Sequence, residues 1–427
     1  MKRYRKRVMD TLLQRKLQSK GAVLIEGPKW CGKTTTAEEF AASKVLLANK
    51  NTKNQFKNLM EIDQQEALSG NAPMLIDEWQ TVPMLWDAVR YEVDHRDEMG
   101  QFILTGSAVP NKDEDEEREH SGTGRFAWLT MRPMTLFESG ESTGTVSLSE
   151  IFEAPEKILE KNPLTLRDIS FLICRGGWPA AVGLSDEVAL EQAIDYYDAV
   201  TKKDISRVDG VKRSPERACR LMRSYARHQG AQASIATLRE DMKSNETSSF
   251  DDDTISSYLD ALRKIFVIED MPAWNPNLRS KTAIRTADTR YFVDPSIATA
   301  ALGLGPDGLM SDLYTMGFLF ETLCVRDLRV FADALKATLY HYRDKAGLEC
   351  DAVIYKRDGE YGLIEIKLGG QSLIEEGVET LNKLAKQIDT TKMKSPSFKM
   401  VLTATGDYAY RRPEDGIYVV PIGCLKL

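Results

Sequence analysis

The chain has 427 residues, of which 42 % are hydrophobic and 28 % charged, and its formal net charge is −7. That length exceeds one ordinary core and points to two or three domains. The composition excludes a disordered or fibrous chain, and the acidic balance excludes a polycation that coats nucleic acid indiscriminately. No apolar stretch is long enough to span a bilayer. The opening MKRYRKRVMD is basic but lacks the apolar core of a signal peptide, so a cytoplasmic protein without a membrane partner is expected. The six cysteines (Cys31, Cys174, Cys219, Cys324, Cys350, Cys424) form no CxxC pair, which points to reduced, mostly buried thiols rather than a zinc site or disulfide framework. Five basic residues, Lys2, Arg3, Arg5, Lys6 and Arg7, fit a solvated helix face or a small anion-binding patch.

The run VLIEGPKWCGKTTTAEEF (23–40) reads as strand, loop and helix. Gly27, Pro28, Lys29, Trp30, Cys31, Gly32, Lys33 and Thr34 fit G-x-x-x-x-G-K-[ST] without mismatch. The glycines let backbone amides turn inward around phosphates, Lys33 reaches the β and γ oxygens, and Thr34 offers a hydroxyl to Mg2+. The helix opening at Thr34, Thr35 and Thr36 points its positive end at the anion. ATP and Mg2+ are the expected cofactors. In APMLIDEWQ (72–80) an apolar strand ends in Asp77, expected to hold the metal, and Glu78, expected to polarise the attacking water. GQFILTGSAVP (100–110) ends another buried strand at Thr105 and Ser107, polar groups that could sense the γ-phosphate. VLIE, VLLA, MLID and FILT alternate with helical segments, which predicts a parallel sheet covered on both faces.

The acidic run 113–119 reads as a solvated loop. Arg125 then leads into an apolar strand. It could carry a guanidinium to the γ-phosphate of its own or a neighbouring subunit, Arg132 being the competing candidate. A finger acting in trans implies a homo-oligomer.

Several motifs together, GPKWCGKT, MLIDEWQ, FILTGSA, HSGTGR with MRPMTLFESG, RGGWPAA, FVDPSIA and GFLFETLCVRDLRV, make the chain resemble prokaryotic AAA-type P-loop ATPases. Those proteins couple a short ATPase module to a C-terminal domain of uncharacterised function. The resemblance implies an ATP-binding α/β core, a helical middle containing a winged helix, and a C-terminal α/β domain similar to the PD-(D/E)xK nuclease fold. The expected parts are residues 1–142, 143–300 and 301–427.

In the middle segment, Trp178 is read as a packing anchor or a nucleotide-side contact. Arg213, Arg217, Arg220, Arg223 and Arg227 recur at three and four, along one helical stripe. The segments 234–242 and 251–274 read as the second and third helices of a winged helix, with Asp253 as a cap, and 265–271 with 284–294 as its wing strands. Arg279, Lys281, Arg285 and Arg290 sit where nucleic-acid contacts are expected, DNA ahead of RNA.

LECDAVIY and GLIEIKL flank a turn and read as a hairpin. Asp351 on the first strand and Glu365 and Lys367 on one face of the second can converge. Two carboxylates could then hold Mg2+ while the lysine positions a water. Glu321 joins them as a metal ligand only by the resemblance. The function expected is a Mg2+-dependent ATPase coupled to nucleic-acid handling, with a possible nuclease activity. The rival is a nucleotide-driven switch that recruits protein partners through a catalytically silent C-terminal domain.

Overall fold

The computed structural model describes residues 4–107, 122–242, 251–276 and 287–427. The acidic run 113–119 and the expected contacts Arg279, Lys281 and Arg285 lie outside the described residues. Two compact units result. One unit comprises residues 1–133, 202–213 and 260–267, and the other 134–201, 214–259 and 268–427.

The first unit is built on five strands: β1 (Ala22–Glu26), β2 (Ser43–Leu46), β3 (Met74–Asp77), β4 (Phe102–Gly106) and β5 (Phe126–Thr130). They form one parallel sheet in the order β2-β3-β4-β1-β5. Successive side chains of a strand point to opposite faces, and the sequence fills both faces. Leu24, Ile76, Phe102 and Leu104 enter a core with Phe56, Met60, Trp79, Trp86 and Val89 from the helices Lys50–Ile62 and Leu85–Arg96 and the turn between strand and helix. Val23, Ile25, Leu75, Ile103 and Leu129 pack on the other face against Met9, Leu12 and Leu13 of the helix Val8–Leu17. The continuous apolar runs of the sequence are the signature of this two-sided burial.

The second unit carries a seven-stranded mixed sheet. After the two-residue strand β6 (Val146–Ser147), which lies outside this sheet, its strands are β7 (Leu159–Lys161), β8 (Ala337–Arg343), β9 (Glu349–Lys356), β10 (Tyr361–Lys367), β11 (Phe398–Thr403), β12 (Tyr408–Arg411) and β13 (Tyr418–Pro421). The order is β7-β12-β13-β11-β10-β9-β8. The β9–β10 hairpin forms as expected, with Ile364 opposite Ala352. The helix Gln371–Gln387 lays Ile374, Val378, Leu381 and Leu384 against Val353, Leu363, Val401 and Val419. β7 comes from the segment read as the helical middle. Its three residues pair with β12 and complete the sheet edge, so a cut at residue 300 would divide the sheet.

The helices Leu166–Arg175, Asp186–Ala199 and Pro215–Arg227 account for the helical reading of the middle. Trp178 is a packing anchor: fully buried, it stacks on Tyr196 at 4.2 Å and its Nε1 donates to Ser296 Oγ at 2.9 Å. The helix Asp252–Lys264 is capped by Asp251, which accepts from Thr254 N at 2.7 Å, not by Asp253. A cap must precede the first turn to reach its free amides, and Asp253 already lies inside it. The two expected wing runs pair antiparallel at Ile268 with Phe292 and Met271 with Thr289.

His341 of β8 is 5 % exposed. Its Nε2 faces Ala287 O at 3.2 Å and its Nδ1 faces Gln232 Nε2 at 3.4 Å. That arrangement suits a neutral ring carrying its hydrogen on Nε2. Burial pulls its pKa down to about 4, against about 6.5 in an unfolded chain. A depressed folded-state value favours the fold above the unfolded pKa and withdraws that contribution as pH falls. Stability is therefore expected to drop between pH 6.5 and 4, by up to about 3 kcal/mol from this group. Urea melts of wild type and His341→Gln across that range check it: the variant should show the shallower fall.

Among the described residues, no helix is long and apolar enough to cross a membrane. Cys31, Cys174, Cys324, Cys350 and Cys424 are buried and Cys219 is half-buried, all as free thiols.

Candidate nucleotide site and a C-terminal acidic cluster

Three strand ends meet at one edge of the parallel sheet. β4 lies between β1 and β3, with Gly106 beside Glu26 and Thr105 beside Asp77. The loop after β1 is therefore set next to the acid that ends β3, and ligands of open α/β sheets bind at such carboxyl ends. The loop turns through left-handed backbone at Gly27 (φ 148°), Trp30 (φ 66°) and Gly32 (φ 104°). Gly27 has no room for a side chain, since a Cβ there would stand 2.1 Å from Met131 O. Gly32 caps the short helix Lys33–Glu38. Thr35 is exposed on that helix and Thr34 half-buried.

Lys33 is buried, and its ammonium donates to Gly27 O at 2.9 Å and Pro28 O at 2.8 Å. Thr34 Oγ1 donates to Asp77 Oδ1 at 2.7 Å, and Thr105 Oγ1 donates to the same oxygen at 2.6 Å. Thr105 thus belongs to Asp77. Ser107 instead faces Glu78, with its hydroxyl 3.3 Å from Oε2. Gln80 Nε2 donates to that oxygen as well. Glu78 adopts left-handed backbone (φ 56°, ψ 43°) at the strand end, a conformation that costs a non-glycine residue about 1 kcal/mol or more and concentrates at functional sites. The Thr34 hydroxyl and Asp77 carboxylate are hard oxygen donors in contact, which suits a Mg2+ ion that keeps most of its waters. Those two residues would hold it, and the ion would supply charge neutralisation to the phosphates.

Arg125 is on the wrong edge for its own site. In the register of β1 and β5, Ala22 faces Phe126 and Glu26 faces Thr130, so Arg125 precedes one strand while the loop follows the other. Four residue steps of strand separate the two edges by about 13 Å. The guanidinium is instead paired with Asp94 at 2.7 Å. Arg132, buried just past the other end of β5, lies on the loop's side. Arg7 was not legible as a site residue. Its Nη1 donates to Cys31 O at 2.9 Å and its Nη2 to Arg132 O at 2.8 Å, so one member of the basic N-terminal run is a buried brace for the loop. Nothing in a charge run distinguishes the buried member from the solvated ones.

In the second unit, Glu321, Asp351, Glu365 and Lys367 fall in one neighbourhood without closing into a metal cage. Among the described residues, no group of three His, Cys, Asp or Glu side chains is arranged to hold a metal ion. Each acid is drawn to a different partner. Glu321 accepts from the buried Tyr291 hydroxyl, Asp351 Oδ2 accepts from Ile366 N at 2.6 Å, and Glu365 Oε2 pairs with Lys367 Nζ at 3.0 Å. Burial, then the charge of Asp351, pushes Glu321 up to about 8 and holds Glu365 well above the usual carboxylate range. The residues as placed do not fit the expected Mg2+ set, and no chemistry is derived through a metal here.

Residues 19–139 match the family described as an AAA domain. This match spans the loop after β1 and the strand ends carrying Asp77 and Thr105. Residues 166–308 and 316–425 match two domains of unknown function, DUF8612 and DUF4143. The uncharacterized proteins Mb2031c of Mycobacterium bovis and Rv2008c of Mycobacterium tuberculosis are each 24 % identical over 364 residues, covering 83 % of this chain and 72 % of theirs. Among solved structures, a Walker-type ATPase of Pyrococcus abyssi is similar at TM-score 0.42 and 13 % identity, over 70 % of this chain and 99 % of its own. The replication initiator DnaA, bound to AMPPCP and single-stranded DNA, is similar at TM-score 0.27 and 13 % identity, over 60 % and 86 %. Both scores are too low to carry an inference from those proteins to this one.

Proposed function

We propose that the chain is a Mg2+-dependent ATPase that couples nucleotide turnover to nucleic-acid handling. The observation that carries the first half is the Asp77 carboxylate, held by both Thr34 and Thr105 beside the buried Lys33. In this reading Lys33 and the turned amides of residues 27–34 bind the phosphates, Thr34 and Asp77 hold the metal, and Glu78 takes a proton from the attacking water. Ser107, on Glu78, orients that carboxylate and responds to the γ-phosphate.

The second half is supported by the helix Pro215–Arg227. It buries Ala218, Leu221, Met222 and Tyr225, while Arg223 and Arg227 are exposed and Arg217 and Arg220 half-buried on its other side. Arg213 is not part of the stripe; it is buried before the helix starts and makes a two-pronged pair with Asp209. Nor does the helix Asp252–Lys264 suit a groove, since its exposed residues are Asp252, Asp253 and Asp260, which repel phosphate. Arg290 is occupied by Asp270 at 3.0 Å and Ala233 O at 3.1 Å.

A second reading has its own observation. Glu321, Asp351 and Glu365 are each engaged by a separate donor, Tyr291, the Ile366 amide and Lys367, which favours a C-terminal domain that recruits a protein partner instead of cleaving nucleic acid. Steady-state ATP turnover with and without single-stranded, duplex and junction DNA or RNA separates the two. Stimulation that falls in Arg223→Glu supports nucleic-acid coupling. Absence of stimulation, together with no nicking in Mg2+ or Mn2+, transfers the assignment to the switch.

A further inference from the structure

Within the phosphate-binding loop, Lys29 sends its ammonium outward to Asp204 Oδ1, 2.6 Å away and 175 residues along the chain. Residues 202–213 belong to the same compact unit as the loop. Asp204 ends a π-helical turn, Val200–Asp204, a wide turn that is uncommon and recurs at functional sites. The acid is the more fixed partner: its side chain is 13 % exposed against 46 % for Lys29. It also does not cap the helix Ile205–Arg207 that follows, so its carboxylate is not spent on local chain geometry.

A triphosphate seated on residues 27–34 brings several negative charges to the loop that carries Lys29. Two anions then compete for one ammonium. We propose that Asp204 is a positioning residue of the nucleotide site: it holds Lys29 while the loop is free of nucleotide, and the triphosphate draws the ammonium away and releases the turn Val200–Asp204. This rests on the nucleotide-binding reading of the loop. A contact made only in the nucleotide-free form opposes binding by its own strength, and binding opposes the contact equally. For a pair this exposed, that amounts to about a two- to fivefold change in affinity.

The test is a titration of the full chain with a non-hydrolysable ATP analogue and Mg2+, in wild type, Asp204→Asn, Asp204→Glu and Lys29→Met, and in the Lys29→Met, Asp204→Asn double variant. The expected result is a Kd lowered about two- to fivefold by Asp204→Asn, restored by Asp204→Glu, with no difference between the two Lys29→Met backgrounds. Amide exchange over residues 200–207 should speed up in wild type when the analogue is added and be fast from the start in Asp204→Asn. An unchanged or raised Kd in Asp204→Asn, or an effect that persists in the Lys29→Met background, overturns the role of Asp204 alone. No uptake by the wild-type chain overturns the nucleotide reading, and this proposal with it.

Discussion

Glu78→Gln is expected to bind ATP with Mg2+ as wild type does and to lose roughly 100- to 10,000-fold in turnover. The carboxylate and the amide have the same shape, so the contacts with Ser107 and Gln80 can be kept in altered form while the base is lost. A single-turnover experiment with labelled ATP separates the two effects: retained binding with slow cleavage places Glu78 in the chemistry. Weakened binding with an unchanged cleavage rate would return it to a turn residue whose left-handed backbone serves only the entry into Trp79–Thr81.

Arg326→Leu is expected to destabilise the fold by about 3–5 kcal/mol. Arg326 is 1 % exposed in the helix Leu313–Ala334, paired with Asp294 at 3.0 Å and Asp327 at 2.8 Å. Each acid also receives backbone amides: Asp294 from Gly177 at 2.9 Å and Ser296 at 3.0 Å, Asp327 from Leu136 at 2.9 Å. Removing the guanidinium leaves two buried carboxylates around an apolar side chain, and that uncompensated charge is the source of the loss. Denaturant melts check it. A midpoint within experimental error of wild type would mean that the acids are neutralised by protonation and the arginine is dispensable.

That buried cluster shows what the sequence could and could not disclose. The motifs MRPMTLFESG, RGGWPAA, FVDPSIA and GFLFETLCVRDLRV carry the family resemblance, and all four supply a member of it: Leu136, Gly177, Asp294 and Arg326 with Asp327. A string of residues carries no record of which distant string it meets, so their shared purpose became visible only in three dimensions. The ATPase domain was legible because its chemistry is local. A loop of fixed spacing, an acid at a strand end and apolar runs buried on both faces each leave their mark within ten residues. Arg125 precedes β5 while the loop follows β1, because position along a strand, invisible in composition, decides which end of a parallel sheet a residue reaches. The acidic cluster was legible as residue types and not as geometry: the period of two put Glu365 and Lys367 on one face, but the pull of Tyr291 on Glu321 comes from a segment that no spacing rule connects to the hairpin. Arg7 and Asp204 lie far from the loop in sequence, and both touch it.

Residues 27–34, with Lys33 among them, are expected to take up a nucleotide. Isothermal titration of the intact chain with ATP and Mg2+ measures this directly, with Lys33→Ala as the comparison. The prediction is uptake of one nucleotide per chain by wild type and none by Lys33→Ala at the same concentrations, with both proteins giving the same circular dichroism. A flat titration of the wild-type chain, or undiminished uptake by Lys33→Ala, would contradict it.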